Sequence, residues 1–149
     1  AFDMRPGSLD DLGVAVTLAT HLNALAERTG LRATFTSNLG VDQRLPPAIE
    51  VCVYRVVQAA LVNVTLHARA ESVSIDIRSH DESVSVVVAD DGVGFDTEAV
   101  LAGPAKGRFG LLAMEERLDA VDGSLSIESQ PGEGTKLSFG IPLPTEDPA

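Results

Sequence analysis

A run of apolar, β-branched residues that ends directly on an aspartate-glycine sequence constrains this chain more than any other feature. Residues 84–89 read Val-Ser-Val-Val-Val-Ala, and residues 90–97 follow without a gap as Asp-Asp-Gly-Val-Gly-Phe-Asp-Thr. The run predicts a buried strand that delivers the Asp90 carboxylate onto a glycine hinge. Gly92 and Gly94 permit positive φ and close backbone approach, while Asp90 can accept a hydrogen bond from an exocyclic amine such as that of adenine. A nucleotide pocket is one interpretation, and a tight turn after a strand is the other.

Length, charge and cysteine content limit the classes of protein to which the chain can belong. At 149 residues, with a formal net charge of −11, it is predicted to form a single domain over 1–149. The acidity argues against a nucleic-acid partner and against direct contact with an anionic membrane. The single cysteine, Cys52, excludes a disulfide framework and favours a packed thiol in a reducing compartment. No apolar run approaches the roughly 20 residues of a membrane helix. We therefore expect a cytoplasmic domain, and its opening at Ala1 suggests a piece of a longer protein.

Hydrophobic periodicity predicts an alternation of helices and strands along the chain. The predicted elements are a helix over about residues 8–28, a strand over 31–37, a helix from Pro46-Pro47 to about Ala68, strands over 72–78 and 83–89, a helix over 111–121, and strands over 125–129 and 135–142. Ser8 and Asp11 are placed as a capping box for the first helix. The strands over 72–78 and 83–89, and those over 125–129 and 135–142, are expected to form antiparallel hairpins, the first of them turning through residues 80–82.

This order of elements predicts an α+β fold. We expect a two-layer α/β sandwich in which a mixed, mostly antiparallel sheet is covered on one face by three helices. Residues from about 94 to 109 are rich in glycine and other small residues, and they are predicted to form a mobile lid. The tail over 144–149 lacks apolar residues and is expected to be flexible.

Asn63, in the second helix, is a candidate metal ligand. Ala59, Asn63 and His67 recur every four residues and so share one face of a helix. An amide within an apolar helix is costly unless it is satisfied, and its oxygen suits Mg²⁺ bound together with a triphosphate. A solvated or core-bonded asparagine is the alternative interpretation. His67, near the helix end, is interpreted as a helix cap or a surface residue without chemistry.

Two further glycine motifs are candidate parts of a ligand site. Residues 107–114 read Gly-Arg-Phe-Gly-Leu-Leu-Ala-Met, a turn that leads directly into a helix. Free amides at the helix start, with close approach at Gly110, would make an anion site for phosphates, and Lys106 and Arg108 add positive charge. Residues 132–135, Gly-Glu-Gly-Thr, deliver a threonine to the start of a strand. Each motif has a structural alternative, because glycine is common before helices and in hairpin turns.

In chain order these motifs resemble the ATP-binding domain of the GHKL superfamily, the Bergerat fold shared by histidine kinases, gyrase, Hsp90 and MutL. The likeness is to the sensor histidine kinases that phosphorylate LuxR-type response regulators, whose catalytic domains carry Arg-Pro-x-x-Leu near the start and Tyr-Arg-x-x-Gln before the asparagine. Here these stretches are Arg5-Pro6-Gly7-Ser8-Leu9 and Tyr54-Arg55-Val56-Val57-Gln58. The resemblance spans about residues 4–144. Anti-sigma-factor serine kinases share the fold but match these two stretches less well.

The resemblance implies a role for each candidate residue. Asp90 would bind the adenine amino group, and Thr135 would reach the adenine edge directly or through water. Gly92 and Gly94 would shape the pocket, and Asn63 would hold Mg²⁺. The residues implied to line the phosphates of ATP as the lid closes are Lys106, Gly107, Arg108, Gly110 and Leu111.

The resemblance also implies partners. The γ-phosphate would pass to a histidine on a dimerisation hairpin of the same protein, and from there to a cognate LuxR-type response regulator. The family's acceptor histidine sits in a helical segment before this domain and is followed by an acidic residue, a setting that His21, His67 and His80 lack. The chain alone is therefore expected to bind ATP without phosphorylating itself.

Two positions depart from the family pattern. Ala59 stands where the family usually has a glutamate that orients or deprotonates the attacking group. Gln58, about 100° around the helix, cannot simply replace that glutamate. Leu66 stands where a lysine or arginine often contacts phosphate, so no catalytic residue is assigned. An alternative function is a degenerate, pseudokinase-like module that binds nucleotide weakly or not at all and regulates its partner helices by docking to them.

Overall fold

The computed structural model describes residues 7–40, 43–96 and 110–144, which form four α-helices, one π-helical turn and five strands. In chain order these are α1 (Gly7–Leu12), α2 (Val14–Thr29), β1 (Arg32–Ser37), α3 (Pro47–Asn63), the π-helical turn (Val64–Ala68), β2 (Ser72–His80), β3 (Ser83–Asp90), α4 (Leu111–Asp119), β4 (Ser124–Ser129) and β5 (Thr135–Pro142). All of the predicted strands are present. The helices differ from the prediction in two places, at the first helix and at the end of the second.

The five strands form one mixed sheet in the order β1-β2-β3-β5-β4. β1 pairs with β2 in parallel, and the other neighbouring strands pair in antiparallel orientation. The parallel pair is possible because α3 and the π-helical turn carry the chain from the end of β1 back to the start of β2. Both predicted hairpins are confirmed, although β2 continues through His80 and leaves Asp81 and Glu82 as the turn.

One face of the sheet is apolar and lies beneath the helices. Alternate residues of a strand point to the same face, and in β3 the inward residues Val84, Val86 and Val88 are almost completely buried. α2 packs against β1, α3 against β3 and α4 against β4, while the opposite face carries mainly serine, threonine and charged side chains. Cys52 is buried in the core, and this burial raises the pKa of its thiol, as expected for a packed cysteine. The predicted two-layer α+β sandwich is confirmed.

The first helix is broken at Gly13, so the prediction of one continuous helix over 8–28 is wrong. Gly13 has a φ of 88°, which ends α1 and starts α2 in a new direction. A Cβ at this position would lie 3.0 Å from Nε of Arg44, so a side chain there would also require the guanidinium to shift by a few tenths of an ångström. Because α1 begins at Gly7, Ser8 lies inside the helix and is not the N-cap that the predicted capping box requires.

An ion pair between a partly exposed arginine and a buried glutamate lies against this break. Arg44 donates to both carboxylate oxygens of Glu50, from Nη2 at 2.6 Å and from Nε at 3.0 Å. The same guanidinium donates at 3.1 Å to the backbone carbonyls of Leu9 and Asp10, near the end of α1. Glu50 is only 3% exposed and lies in the first turn of α3. The pair therefore ties α1 to the start of α3.

The second helix begins at Pro47 as predicted, but its last five predicted residues form a π-helical turn. Contrary to the sequence-based expectation, Pro47–Leu66 is long and apolar enough, by length and composition alone, to cross a membrane. In the fold 56% of an 18-residue segment of this stretch is buried. It lies among the sheet, α2 and α4, and a helix that packs on several sides is apolar around most of its surface.

Candidate functional site

The ends of three strands place oxygen-bearing side chains next to one another beneath α3. β3 ends at Asp90, β5 begins at Thr135 and β4 ends at Ser129. The strand register sets Asp90 opposite Thr135, and Thr135 opposite Ser129. Each of the three is two residues from a residue that faces the helices, so its side chain lies on the same face of the sheet. A polar row therefore crosses one end of an otherwise apolar sheet face.

A pocket of about 560 Å³, counting its open mouth, lies between this row and the helices. Its apolar walls include Val88, Ile127 and Leu137 from the sheet and Ala60, Val64 and Leu111 from the helices. The polar side chains along the described part of the wall are Asn63, Asp90 and Thr135. A mainly apolar lining with a few polar groups is typical of small-molecule sites. The residues predicted from the sequence that meet here are Asn63, Asp90, Gly94, Leu111 and Thr135.

The Asp90 carboxylate is half-buried at the floor of this pocket. Its Oδ1 accepts a hydrogen bond from the backbone amide of Gly92 at 2.8 Å. Burial raises the pKa of the Asp90 carboxyl and the nearby Asp91 adds to this, whereas the backbone amides of Gly92 and Thr135 act in the opposite direction. The structure thus holds a partly desolvated acceptor where a ligand entering the pocket would end.

The two predicted glycines are required for different reasons. Gly94 has a φ of 65°, as predicted, and a Cβ there would overlap the carbonyl oxygen of Gln130. Gly92 does not adopt positive φ, so that part of the prediction is wrong for it. A Cβ at Gly92 would overlap the carbonyl oxygen of Ala68, and this carbonyl also accepts a hydrogen bond from the Val93 amide at 2.7 Å. Gly92 is therefore needed where the π-helical turn closes onto the end of β3.

Ser129 is a residue of the site that the sequence analysis missed. It is 7% exposed, and its hydroxyl lies 2.9 Å from the hydroxyl of Thr135 and 2.8 Å from the amide nitrogen of Phe95. Phe95 itself lines the pocket. The signal that could have found Ser129 is the register of the predicted hairpin, which places it opposite Thr135.

Asn63 lies at the end of α3, and its half-buried side chain lines the pocket. Within the described ranges, no three His, Cys, Asp or Glu side chains form a group that could hold a metal ion. An amide oxygen is a suitable ligand for Mg²⁺, which keeps several waters and commonly takes further oxygens from substrate phosphates. The residues present therefore fit a Mg²⁺ that arrives with a phosphate ligand, and they do not fit a metal site built of protein groups alone.

The start of α4 forms another part of the pocket wall. Gly110 adopts the left-handed conformation with a φ of 75° immediately before the helix, and Leu111 is buried against the pocket. No atom of the described structure approaches within 4 Å of a Cβ built at Gly110, so its backbone conformation is what calls for glycine there. The predicted phosphate-lining residues Lys106, Gly107 and Arg108 lie outside the described residues, as do Arg5 and Pro6.

Comparison with known proteins identifies the family to which this fold and pocket belong. Residues 48–145, well over half of the chain, match the family of histidine kinase-, DNA gyrase B- and HSP90-like ATPases. The chain belongs to this ATPase family. The sequence-based identification as a GHKL domain is therefore confirmed.

Individual relatives place the chain among the histidine kinases of the ATPase family. The signal transduction histidine-protein kinase/phosphatase DegS of Brevibacillus brevis is 37% identical over 147 residues, which cover 98% of this chain and 36% of that protein. The histidine kinase domain of the blue-light activated histidine kinase from Erythrobacter litoralis EL346 has a TM-score of 0.63 at 22% identity, covering 87% of this chain and 59% of that one. For the nucleotide-free catalytic domain of histidine kinase ThkA the TM-score is 0.65 at 17% identity, covering 87% and 90%.

The two solved structures show the shared fold, and the DegS match shows the kinship with sensor histidine kinases. The chain spans about a third of the length of DegS. It is thus a catalytic ATPase domain of the histidine kinase type.

The two departures from the family pattern lie on the helical side of this ATPase domain. Ala59 is partly buried and packs against the core one helical turn before Asn63. Leu66 lies in the π-helical turn and is 69% exposed, which is unusual for a large apolar side chain. Neither residue lies in the polar row, so the departures leave the floor of the pocket unchanged.

Proposed function

We propose that this histidine kinase-type domain binds Mg-ATP in its pocket and presents the γ-phosphate to a histidine on a separate helical hairpin. In this proposal Asp90 accepts a hydrogen bond from the adenine amino group, and Thr135 contacts the adenine edge directly or through water. Gly92 and Gly94 shape the floor, and Asn63 is a ligand of Mg²⁺. The residues proposed to surround the phosphates are Lys106, Gly107, Arg108, Gly110 and Leu111.

The observation that supports this proposal most strongly is the half-buried Asp90 carboxylate at the end of an apolar pocket. Apolar walls suit the faces of a planar base, and they leave hydrogen bonds at its edge to fix its orientation. A carboxylate in such surroundings interacts more strongly with a donor than it would in water. A base that carries an exocyclic amine supplies that donor, and adenine is such a base.

Transfer of a phosphoryl group depends mainly on positioning and on stabilisation of charge. Binding of adenine at Asp90 would direct the phosphates toward the pocket mouth, where the first turn of α4 offers amide groups without helical partners. Mg²⁺, when bound, would neutralise part of the phosphate charge. Because Ala59 cannot accept a proton, removal of the proton from the acceptor histidine falls to another group in this proposal.

The proposed partners follow from the similarity to DegS. We expect a dimerisation hairpin of the same protein to carry the acceptor histidine, and a LuxR-type response regulator to take the phosphate from it. The domain is proposed to work in the cytoplasm, where ATP is available.

Isothermal titration calorimetry of the chain with ATP, with and without Mg²⁺, tests the binding site. Asp90→Asn removes the charged acceptor, and affinity should fall at least about tenfold because a hydrogen bond to a charged group is lost. Glu128→Gln is the matched control, since Glu128 is an exposed carboxylate on the other face of β4. Equal affinity of Asp90→Asn and the unaltered chain would contradict the assignment of Asp90.

A second measurement tests the kinase role. The chain is incubated with Mg-ATP and the helical hairpin that carries the acceptor histidine, and acid-labile phosphate on the hairpin is followed over time. Ala59 favours one other function, a docking module without turnover. Absence of both heat and thermal stabilisation at millimolar ATP would support that function, whereas ATP binding followed by phosphate on the hairpin would exclude it.

A further inference from the structure

The Ser129 hydroxyl makes three hydrogen-bonding contacts in the buried end of β4. Its Oγ lies 2.8 Å from the amide nitrogen of Phe95, 2.9 Å from the carbonyl oxygen of Gly134 and 2.9 Å from Oγ1 of Thr135. A hydroxyl has one proton to donate and two lone pairs to accept with. Three partners therefore use the full capacity of this oxygen.

Two of these partners can act only as a donor or only as an acceptor of a hydrogen bond. An amide N–H can only donate, so Phe95 occupies one lone pair of Ser129. A carbonyl can only accept, so Gly134 takes the single Ser129 proton. The lone pair that is left can accept but cannot donate. In the contact between the two hydroxyls, the proton consequently belongs to Thr135.

We propose that Ser129 is a specificity-determining positioning residue, which fixes the Thr135 hydroxyl so that this hydroxyl presents only acceptor lone pairs to the pocket. The inference rests on the proposed binding of a nucleotide base against Asp90 and Thr135, and it adds the basis of base selection. The Thr135 proton points to Ser129, and Asp90 as a carboxylate also only accepts. The floor of the pocket thus offers acceptors on two neighbouring strands.

Such a floor distinguishes purines by the group at position 6 of the ring. A 6-amino group, as in adenine, donates and matches the two acceptors. A 6-oxo group, as in hypoxanthine or guanine, would place an oxygen against an acceptor oxygen of the floor, and the neighbouring ring N–H could satisfy only one of the two acceptors, which is costly. Ser129 does not touch the base in this scheme. It acts by preventing Thr135 from turning its proton toward a 6-oxo group.

Competition between ATP and inosine triphosphate, which differ at this ring position, tests the proposal on the 149-residue chain. Calorimetry gives the ratio of the two dissociation constants. In Ser129→Ala the Thr135 hydroxyl can rotate and donate to the 6-oxo group, so the preference for ATP should fall about fivefold, the effect of one neutral hydrogen bond. Ser126→Ala is the matched control, because Ser126 is an exposed serine of the same strand, and its ratio should stay that of the unaltered chain.

A double-mutant cycle shows whether Ser129 acts through Thr135. In a Thr135→Val background, Ser129→Ala should change the ratio no further, whereas Ser129→Thr in the unaltered chain should retain the preference. Thr135→Val alone also removes the acceptor, so it should lower the preference; Ser129→Gly, which frees the Thr135 hydroxyl in the same way, supplies the test if Ser129→Ala does not fold. Thermal unfolding of each variant identifies those that fold.

The outcomes separate this inference from the proposed function. If the two affinities fall by the same factor in Ser129→Ala and the ratio is unchanged, Ser129 only supports the local structure and the inference is overturned. A ratio that falls in Ser129→Ala equally with and without Thr135 overturns it too. If the unaltered chain binds no ATP, the proposed function fails and the inference fails with it.

Discussion

Two neighbouring carboxylates at the end of β3 experience opposite environments. Burial raises the pKa of Asp90. The pKa of Asp91 is lowered, first by the backbone amide of Ser72 and then by its hydroxyl and by the Glu71 amide, and Oδ1 of Asp91 lies 2.9 Å from both amide nitrogens. Asp91 therefore stabilises the start of β2, whereas Asp90 is held at some cost in a position where it can meet a ligand.

The Asp90 environment predicts a pH-dependent effect on stability. A carboxyl group whose pKa is higher in the folded protein than in the unfolded chain favours the fold while it is protonated. This contribution to stability is fully present below the pKa of the unfolded chain, and it is lost as the pH rises through the pKa of the folded protein. Asp90→Asn should therefore raise the melting temperature of the unliganded chain by a few degrees at about pH 7, and by much less at about pH 4, close to the ordinary pKa of an aspartate. Calorimetric or circular-dichroism melts at the two pH values measure this.

Asp91→Asn is the paired control, with the opposite sign. Its lowered pKa gives stability that is present above the unfolded value and is lost as the pH falls through the folded value, so this variant should melt lower than the unaltered chain at neutral pH. If Asp90→Asn also melted lower, the hydrogen bond from Gly92 would outweigh the cost of burying the charge.

At the scale of elements, the ion pair between Arg44 and Glu50 determines how α1 meets the rest of the fold. The guanidinium satisfies carbonyls near the end of α1 while it neutralises a carboxylate in the first turn of α3. Loss of the carboxylate would leave the arginine without its anion and the backbone amide of Leu45 without its acceptor, which lies at 3.4 Å.

Glu50→Ala should consequently lower the free energy of unfolding by about 2 kcal/mol, because hydrogen bonds to a charged group are lost while the partly exposed Arg44 guanidinium remains hydrated. Urea denaturation followed by circular dichroism measures this loss. Glu27→Ala, at an exposed glutamate of α2, should change stability by less than about 0.5 kcal/mol. Equal effects of the two substitutions would show that the ion pair between Arg44 and Glu50 contributes nothing to stability.

The helices, strands and turns that could be predicted are those encoded by residues close together in the sequence. The residues that alternate around Val86 are close together in sequence, and so are the turn residues between β4 and β5. The strands and hairpins were therefore predicted correctly. The apolar periodicity continues across Gly13, so the local pattern did not show the break. The contacts that Arg44 makes with the end of α1 come from a residue about thirty positions away and are not visible in the sequence of one helix.

The same distinction holds for the site. Asp90, Gly94 and Thr135 stand in motifs with a local turn or strand signature, and they meet in the pocket. Ser129 was missed because its role depends on the register of the hairpin with Thr135 and on a contact with Phe95 from a distant segment. The predicted roles of Lys106, Gly107 and Arg108 stay predictions.

For the whole molecule, the departures from the family pattern concern phosphate and metal chemistry and leave the base-binding floor intact. The double variant Ala59→Glu, Leu66→Lys restores both usual side chains. It should tighten ATP binding about tenfold in the presence of Mg²⁺ and much less without it, because the restored charges act near the metal and the phosphates. Calorimetry under both conditions measures the difference.

The matched control for this variant is Ala59→Gln, Leu66→Gln, which adds similar bulk without charge. The exposure of Leu66 leaves room for a longer side chain at that position. An unchanged magnesium dependence in the charged variant would contradict the assignment of this end of α3 to the metal and phosphates.

The pocket walls come from segments spread over more than half of the chain, from Ala60 in α3 to Leu137 in β5. An unfolded chain therefore has no pocket, and a nucleotide binds only when these segments are folded together. Mass action then stabilises the domain by about 2.7 kcal/mol when free ligand is at 100 times its dissociation constant. Energy depletion in a cell would lower that protection, so the lifetime of this domain against proteases should follow the cellular nucleotide level.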